Sequence, residues 1–234
     1  MLFQHNEILA KIIQNGGLSV IDAESSSYWD EYYRSQRVGT IICPSQFAAF
    51  VAQEKAAASN VLEIGCGNGR DSFFFAQQGF RVVGIDRSED AIRKCNETKA
   101  TLAPLPITFV RASVSESTFR DILASHLPND RSYPCLFYAR FFIHAISEDD
   151  EDAFLSTVSD LMQSKDSLAL EFRTIRDASL TKITPTHFRR FIQPHLLTQK
   201  AAALGMVVEY AVEGFGYAKY RDDDAYVARV IFTK

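Results

Sequence analysis

Residues 61–71 read Val-Leu-Glu-Ile-Gly-Cys-Gly-Asn-Gly-Arg-Asp. The first four form a short apolar run of strand character, the glycines form a turn, and a helix is expected from Asp71 to Gln78. Glycine has no β-carbon, so a turn of this composition lets the backbone approach a ligand closely. The N–H groups at the start of the helix suit a negatively charged group. Arg81-Val-Val-Gly-Ile-Asp86 follows as a second buried strand, and Ser88 is placed to cap the next helix. Asp86 thus stands at a strand end, about 20 residues beyond the first glycine, where a carboxylate accepts both hydroxyls of a ribose.

The glycine spacing separates ligand classes. A dinucleotide fingerprint, G-x-G-x-x-G, needs its third glycine at position 70. Arg70 stands there, and the glycines fall at 65, 67 and 69, giving E-x-G-x-G-x-G. A bulky side chain where helix and strand pack closely disfavours a pyrophosphate, which counts against a nicotinamide-dependent oxidoreductase.

Outward from this stretch the chain keeps an alternating rhythm. Strands are expected at Ile107–Val110, Cys135–Ala139 and Ser167–Phe172, with a helix at Glu151–Met162 whose apolar residues share one face. Strands and helices alternating at this spacing imply right-handed crossovers and a doubly wound, mostly parallel α/β sheet. The tail breaks the rhythm. A broken helix is expected over Thr186–Ile192 and Pro194–Leu204, stopped by Gly205. Val207–Val212 and Tyr226–Phe232 then form an antiparallel hairpin. Before the glycine loop, residues 1–58 read as a helical cap or lid and residues 59–234 as the sheet domain. The cap holds an apolar stripe through Leu2, Leu9, Ile12 and Ile13, then Tyr28, Trp29, Tyr32 and Tyr33 on a helix capped from Ser25–Ser27. A third helix is expected to begin with Pro44 in its first turn.

Composition bounds the rest. In 234 residues, 47% are apolar and 23% charged, the usage of a globular protein able to bury a core without staples. With 25 Lys+Arg against 29 Asp+Glu, the net charge of −4 argues against general coating of nucleic acid. No apolar run approaches the roughly 20 residues that span a bilayer, and the first residues do not read as a secretory leader. Cys43, Cys66, Cys95 and Cys135 lie far apart, as reduced core residues rather than a zinc site or disulfide frame. A cytoplasmic protein with no metal, membrane or nucleic-acid partner is the expectation, acting on a small molecule in an unassigned oligomeric state.

The stretches Val61–Asp71 and Arg81–Ile92 resemble the first two motifs of class I S-adenosylmethionine-dependent methyltransferases, and the resemblance extends over about residues 59–234. It implies a seven-stranded Rossmann-like sheet in the order 3-2-1-4-5-7-6, with the last strand antiparallel. It implies S-adenosylmethionine as cofactor, with Glu63, Gly65 and Gly67 along its methionine part, Asp86 on the ribose, Arg87 beside the adenine and Ala112-Ser113 at the adenine edge. Tyr28, Cys66, Asn68 and Arg140 complete the expected cofactor contacts, Tyr28 from a lid whose aromatic faces suit a sulfonium.

Methyl transfer is an in-line displacement that needs an aligned nucleophile and, for some acceptors, a base. Acceptor residues should project from the carboxyl ends of the fourth and fifth strands. Tyr138-Ala-Arg-Phe-Phe-Ile-His-Ala145 lacks the paired prolines seen in enzymes that methylate nucleobase amines, which disfavours that acceptor. His144 is the expected general base. Arg140, Arg173, His187 and Arg190 are expected to bind an anionic acceptor, since guanidinium holds carboxylate or phosphate through paired donors. Arg189 and Arg190 are neighbours, so only one is expected to point inward. The acidic run Glu148–Asp152 reads as the dipole-favoured start of a helix rather than as metal ligands. Ala139–His144, Glu171–Thr174 and His187–Arg190 look similar to methyltransferases of bacterial surface-glycan and secondary-metabolite pathways. The expectation is O-methylation of a small polar, phosphorylated, carboxylated or sugar-linked acceptor. The alternatives are N-methylation of a small amine, or a protein that binds the cofactor without catalysis.

Overall fold

A computed structural model describes residues 28–34, 43–180, 188–219 and 223–234. The expected stripe of Leu2 to Ile13 and the caps at Ser25–Ser27 lie outside these residues. Among them the elements run α1 (Gln46–Glu54), β1 (Asn60–Ile64), α2 (Arg70–Gln77), β2 (Arg81–Asp86), α3 (Glu89–Ala100), β3 (Ile107–Arg111) and α4 (Phe119–His126). There follow β4 (Cys135–Arg140), α5 (Glu148–Leu161), β5 (Ser167–Arg173), α6 (Pro194–Ala203), β6 (Val207–Gly214) and β7 (Val227–Thr233). Residues 28–34 are helical as well.

The seven strands form one sheet in the order β3-β2-β1-β4-β5-β7-β6. The pairs β1–β2, β1–β4, β2–β3 and β4–β5 are parallel, while β7 runs antiparallel to both β5 and β6. Successive strand residues face opposite sides, so β1 and β4 serve two cores. Leu62, Ile64 and Phe137 join α4, α5 and α6 on one face. Val61, Leu136 and Tyr138 join α1, α2 and α3 on the other. A central strand buried on both faces reads as a continuous apolar run, as Cys135–Ala139 does. No helix among the described residues is long and apolar enough to cross a membrane.

Three local expectations change. The third expected helix begins at Gln46, leaving Pro44 outside its first turn, because Ser45 caps it and its hydroxyl accepts the Ala48 amide. Helix α4 was not among the expected elements, although Phe119, Ile122 and Leu123 recur at helical spacing and pack on the core. The expected helix over Thr186–Ile192 is absent from its described part: residues 188–193 are not helical, and Ile192 bridges Thr174 in parallel. There the Ile175 amide donates to the Ile192 carbonyl and the Ile192 amide to the Arg173 carbonyl, so pairing with the end of β5 outweighs helix propensity. Helix α5 starts earlier than expected. Ser147 caps it, four acids fill its first turn, and Glu151 among them is buried against Arg190 and Lys200.

Candidate active site

A cavity of about 770 Å³ opens over the carboxyl ends of β1, β2, β4 and β5, where open α/β sheets take their ligands. The glycine loop forms its floor. Gly65 has φ +76° and Gly67 φ +55°, and both place their α-carbons against aromatic side chains. A β-carbon on Gly65 would stand 2.8 Å from the Phe142 ring, and one on Gly67 would collide with the Tyr33 hydroxyl. The loop is tied to β2 by the Gly65 and Cys66 amides, which donate to the Ile85 carbonyl at 2.8 and 2.9 Å.

Asp86 ends β2 beneath this loop. One carboxylate oxygen accepts the Gly67 amide at 2.8 Å and the other the Ser88 amide at 2.9 Å. Burial raises its pKa, and the two amides and Arg87 oppose that shift. The amides fix the carboxylate plane, and each oxygen keeps a lone pair for a hydroxyl.

Glu63 and Asp71 lie deeper, on β1 and α2. Asp71 accepts the Ser45 amide at 2.8 Å, the Ser45 hydroxyl at 2.6 Å, the Tyr138 hydroxyl at 2.9 Å and Arg70 Nε at 3.2 Å. Burial pushes its pKa upward, but Arg70, Arg140 and the Ser45 bonds together bring it below the usual carboxylate value. Glu63 accepts the Ser72 hydroxyl. Burial and the neighbouring Asp71 charge push it well above its ordinary value. Two buried carboxyls side by side are thus driven apart in acidity, Asp71 charged and Glu63 favouring its proton.

At the ends of β4 and β5, Arg140 donates from Nε to Glu171 at 2.7 Å, and Arg229 donates to the other Glu171 oxygen at 2.7 Å. Arg173 gives one amino group to Asp177 at 2.7 Å and the other to Asp223 at 2.6 Å. Between these two arginines sits the Phe141 ring, 4.2 Å from the Arg140 guanidinium and 5.6 Å from that of Arg173. Phe141 has φ +56°, a left-handed backbone that a residue with a β-carbon adopts only when its surroundings impose it. The His144 ring meets Phe141 edge-on at 5.2 Å.

All but two of the residues expected to form the site line this cavity: Tyr28, Glu63, Gly65, Cys66, Gly67, Asn68, Asp86, Arg87, Ala112, Ser113, Arg140, His144 and Arg173. His187 lies outside the described residues. Arg190 is turned away: it donates to the Ser147 carbonyl at 3.1 Å and to Glu151 at 3.2 Å. Its neighbour Arg189 lines the cavity instead, its pKa lowered by burial and then by the charge of Arg173.

Two further expected residues have contacts that bear on their roles. Arg173 lines the cavity but already serves two carboxylates, so it is not a free hand for an anion. The general-base expectation for His144 meets an opposed hydrogen bond, since its Nδ1 accepts the Arg173 backbone amide at 3.3 Å.

Sequence reasoning missed Arg70, Phe141 and Asp150 as cavity residues. Arg70 had been read only as an obstacle to a third glycine, and the left-handed turn at Phe141 leaves no mark in residue type.

Residues 61–165 match the family model described as methyltransferase domain. No curated protein matches the chain. Among solved structures, the chain is similar to a SAM-dependent methyltransferase from Anabaena variabilis ATCC 29413, at 14% identity and TM-score 0.67, covering 92% of this chain and 94% of that one. It is similar to the CcbJ methyltransferase from Streptomyces caelestis at 16% identity and TM-score 0.63, over 89% of this chain and 98% of that one. The glycopeptide N-methyltransferase MtfA, complexed with S-adenosyl-L-homocysteine, matches at 15% identity and TM-score 0.62, over 85% and 93%. At these identities the structural likeness establishes the fold, and the family model establishes the domain within it. By the family model the chain carries a methyltransferase domain over residues 61–165, and its fold is that of solved Rossmann-like, SAM-dependent methyltransferases.

Proposed function

We propose that the protein transfers the methyl group of S-adenosylmethionine to an oxygen of a small polar acceptor bearing a carboxylate or phosphate. The reading for the cofactor rests on the paired lone pairs of Asp86 beneath the glycine loop. The ribose hydroxyls would donate to Asp86, the adenine would lie between Arg87 and Ala112-Ser113, and the methionine part would run along Glu63, Gly65 and Gly67 toward Arg140. When bound, the cofactor supplies an electrophilic methyl carbon. The chain's own residues hold it in line and exclude water, the helical segment 28–34 from above with Tyr28, Trp29, Tyr32 and Tyr33 along the cavity.

The observation that carries the acceptor reading is the cationic lining of the cavity, to which Arg140, Arg189 and Lys219 contribute beside the already paired Arg173. Glu171, Asp177 and Asp223 offset part of that charge, and the rim still presents guanidinium and ammonium donors to an anion. The test is methyl transfer from radiolabelled S-adenosylmethionine to panels of phosphorylated sugars, sugar acids, hydroxycarboxylic acids and neutral amines. Label transferred to the anionic panels supports the reading. Label confined to neutral amines would replace it with N-methylation, and cofactor binding without transfer to any panel would leave a binding protein.

A further inference from the structure

We infer that the oxygen methylated is that of an ionised carboxylate, so that the product is a methyl ester and no proton is removed during transfer. The inference deepens the proposed function and rests on it.

The argument starts at His144, which is buried at the rim of the cavity and sits in the turn Ile143–Ala145 just after β4. Its Nδ1 accepts the backbone amide of Arg173. An N–H donates only to a nitrogen with a lone pair, so the neutral ring carries its single hydrogen on Nε2. A general base of this kind would need the opposite arrangement. In catalytic triads the far imidazole nitrogen donates to a carboxylate, which stabilises the imidazolium formed when the ring takes a proton. Here the far nitrogen faces a donor. An imidazolium would set its Nδ1 hydrogen against the Arg173 amide hydrogen, in a position that the end of β5 fixes. His144 is therefore built as a hydrogen-bond donor.

Its neighbours have the same sense. Arg140 and Arg173 flank the Phe141 ring that His144 touches, and Arg189 lines the same rim. Among the described residues, Arg140 uses only Nε in a hydrogen bond, to Glu171. A ring of donors suits an acceptor that brings lone pairs and charge, not one that must surrender a proton. A carboxylate is such an acceptor and is itself the nucleophile. One of its oxygens forms a bond to the methyl carbon, the carbon–sulfur bond breaks, and the electron pair returns to sulfur as a neutral thioether. The anion and the sulfonium cancel, and atoms and charge balance without any other reactant. A hydroxyl would need a base as well.

Hydroxycarboxylic and uronic acids carry both kinds of oxygen in one molecule, and they are the probes. After incubation with methyl-labelled S-adenosylmethionine, mild alkali should release the label as methanol. Label that survives alkali, as an ether does, overturns the inference and directs attention to Asp150, a carboxylate lining the cavity. Long-range proton–nitrogen NMR on the intact protein reads the tautomer without any acceptor, with His144→Gln assigning the signal. The Nε2–H form at neutral pH supports the inference, and the Nδ1–H form or an imidazolium overturns it. With the acceptor found, His144→Ala should lower kcat/KM about 10- to 100-fold, the size of a hydrogen bond to a charged group. His144→Gln, which keeps a donor but cannot take a proton, should recover most of that loss. Failure of every panel to accept label would count against the proposed function, while the NMR result would still decide the role of His144.

Discussion

The hydroxyl of Tyr33 rests against Gly67, inside the space that any β-carbon at that position would occupy. A residue of the N-terminal helical segment therefore seats on the cofactor loop itself. The segment is moored nearby: Ser88 donates to Asp30, Arg34 donates to Asp90 from two nitrogens at 3.1 and 3.0 Å, and Lys94 donates to the Arg34 carbonyl at 2.8 Å. Burial and the Asp86 charge push the Tyr33 pKa well up, so its hydroxyl stays protonated there.

Gly67→Ala should destabilise the protein on two counts, which a double mutant separates. The left-handed backbone at φ +55° costs a side chain about 1–2 kcal/mol, and the clash with Tyr33 adds to it. Adding Tyr33→Ala should remove the clash but not the backbone cost. Urea denaturation of the two single variants and the double variant measures both. Strict additivity would show that Tyr33 does not seat on the loop.

Asp86→Ala should abolish most of the affinity for S-adenosylmethionine. It removes the expected ribose contact and leaves the Gly67 and Ser88 amides without their acceptor. A loss of about 1.5–3 kcal/mol for each charged hydrogen bond corresponds to at least a tenfold rise in Kd. Calorimetric titration of the wild type and variant is the check, and unchanged affinity would remove Asp86 from the cofactor site.

Glu171 holds Arg140 with one oxygen and Arg229 with the other, and its side chain is fully buried. Glu171→Ala would leave two buried guanidiniums without their carboxylate, and the expected cost is about 3–5 kcal/mol in denaturation midpoint experiments. Glu171→Gln should cost less, since its carbonyl oxygen still accepts from one arginine.

Glu63 carries a pH signature of known sign. Its folded pKa lies well above the ordinary value of 4.5. Between those two values the unfolded chain has released a proton that the folded protein retains, so stability falls as pH rises across that interval. Glu63→Gln keeps an oxygen for Ser72 and cannot ionise. It should gain on the wild type as pH rises from 5 to 8, in thermal melts at constant ionic strength. Parallel profiles for the two proteins would exclude an elevated Glu63 pKa. Asp71 has the opposite sign: its lowered pKa adds stability that is lost as pH falls through its folded value.

Much of this was legible because it is local. The glycines at 65, 67 and 69, Asp86 at the next strand end and the closing hairpin are read within short windows, and strand alternation places their faces. The pairing of β6 with β7 follows because the tail lacks a helix between its last two strands, while the place of β7 beside β5 came only with the family resemblance. Helix α4 and the non-helical segment 188–193 were not read from the sequence. The first is only two turns long, although Phe119, Ile122 and Leu123 stand at helical spacing, and the second is settled by pairing with β5 rather than by its own residues.

By itself, then, the sequence determined the sheet, its cofactor loop and the inventory of charged groups that could gather at the strand ends. Which of those groups face the cavity, and in what electrostatic state, was decided by contacts between distant parts of the chain. Arg190 goes to Glu151, 39 residues away, while Arg189 lines the rim. Arg173 is neutralised in part by Asp223, 50 residues away. His144 Nδ1 accepts an amide 29 residues along the chain. Residue type sets which hydrogen bonds a side chain can make. The donor or acceptor standing opposite it, brought there by the packing of the sheet, sets which one it does make.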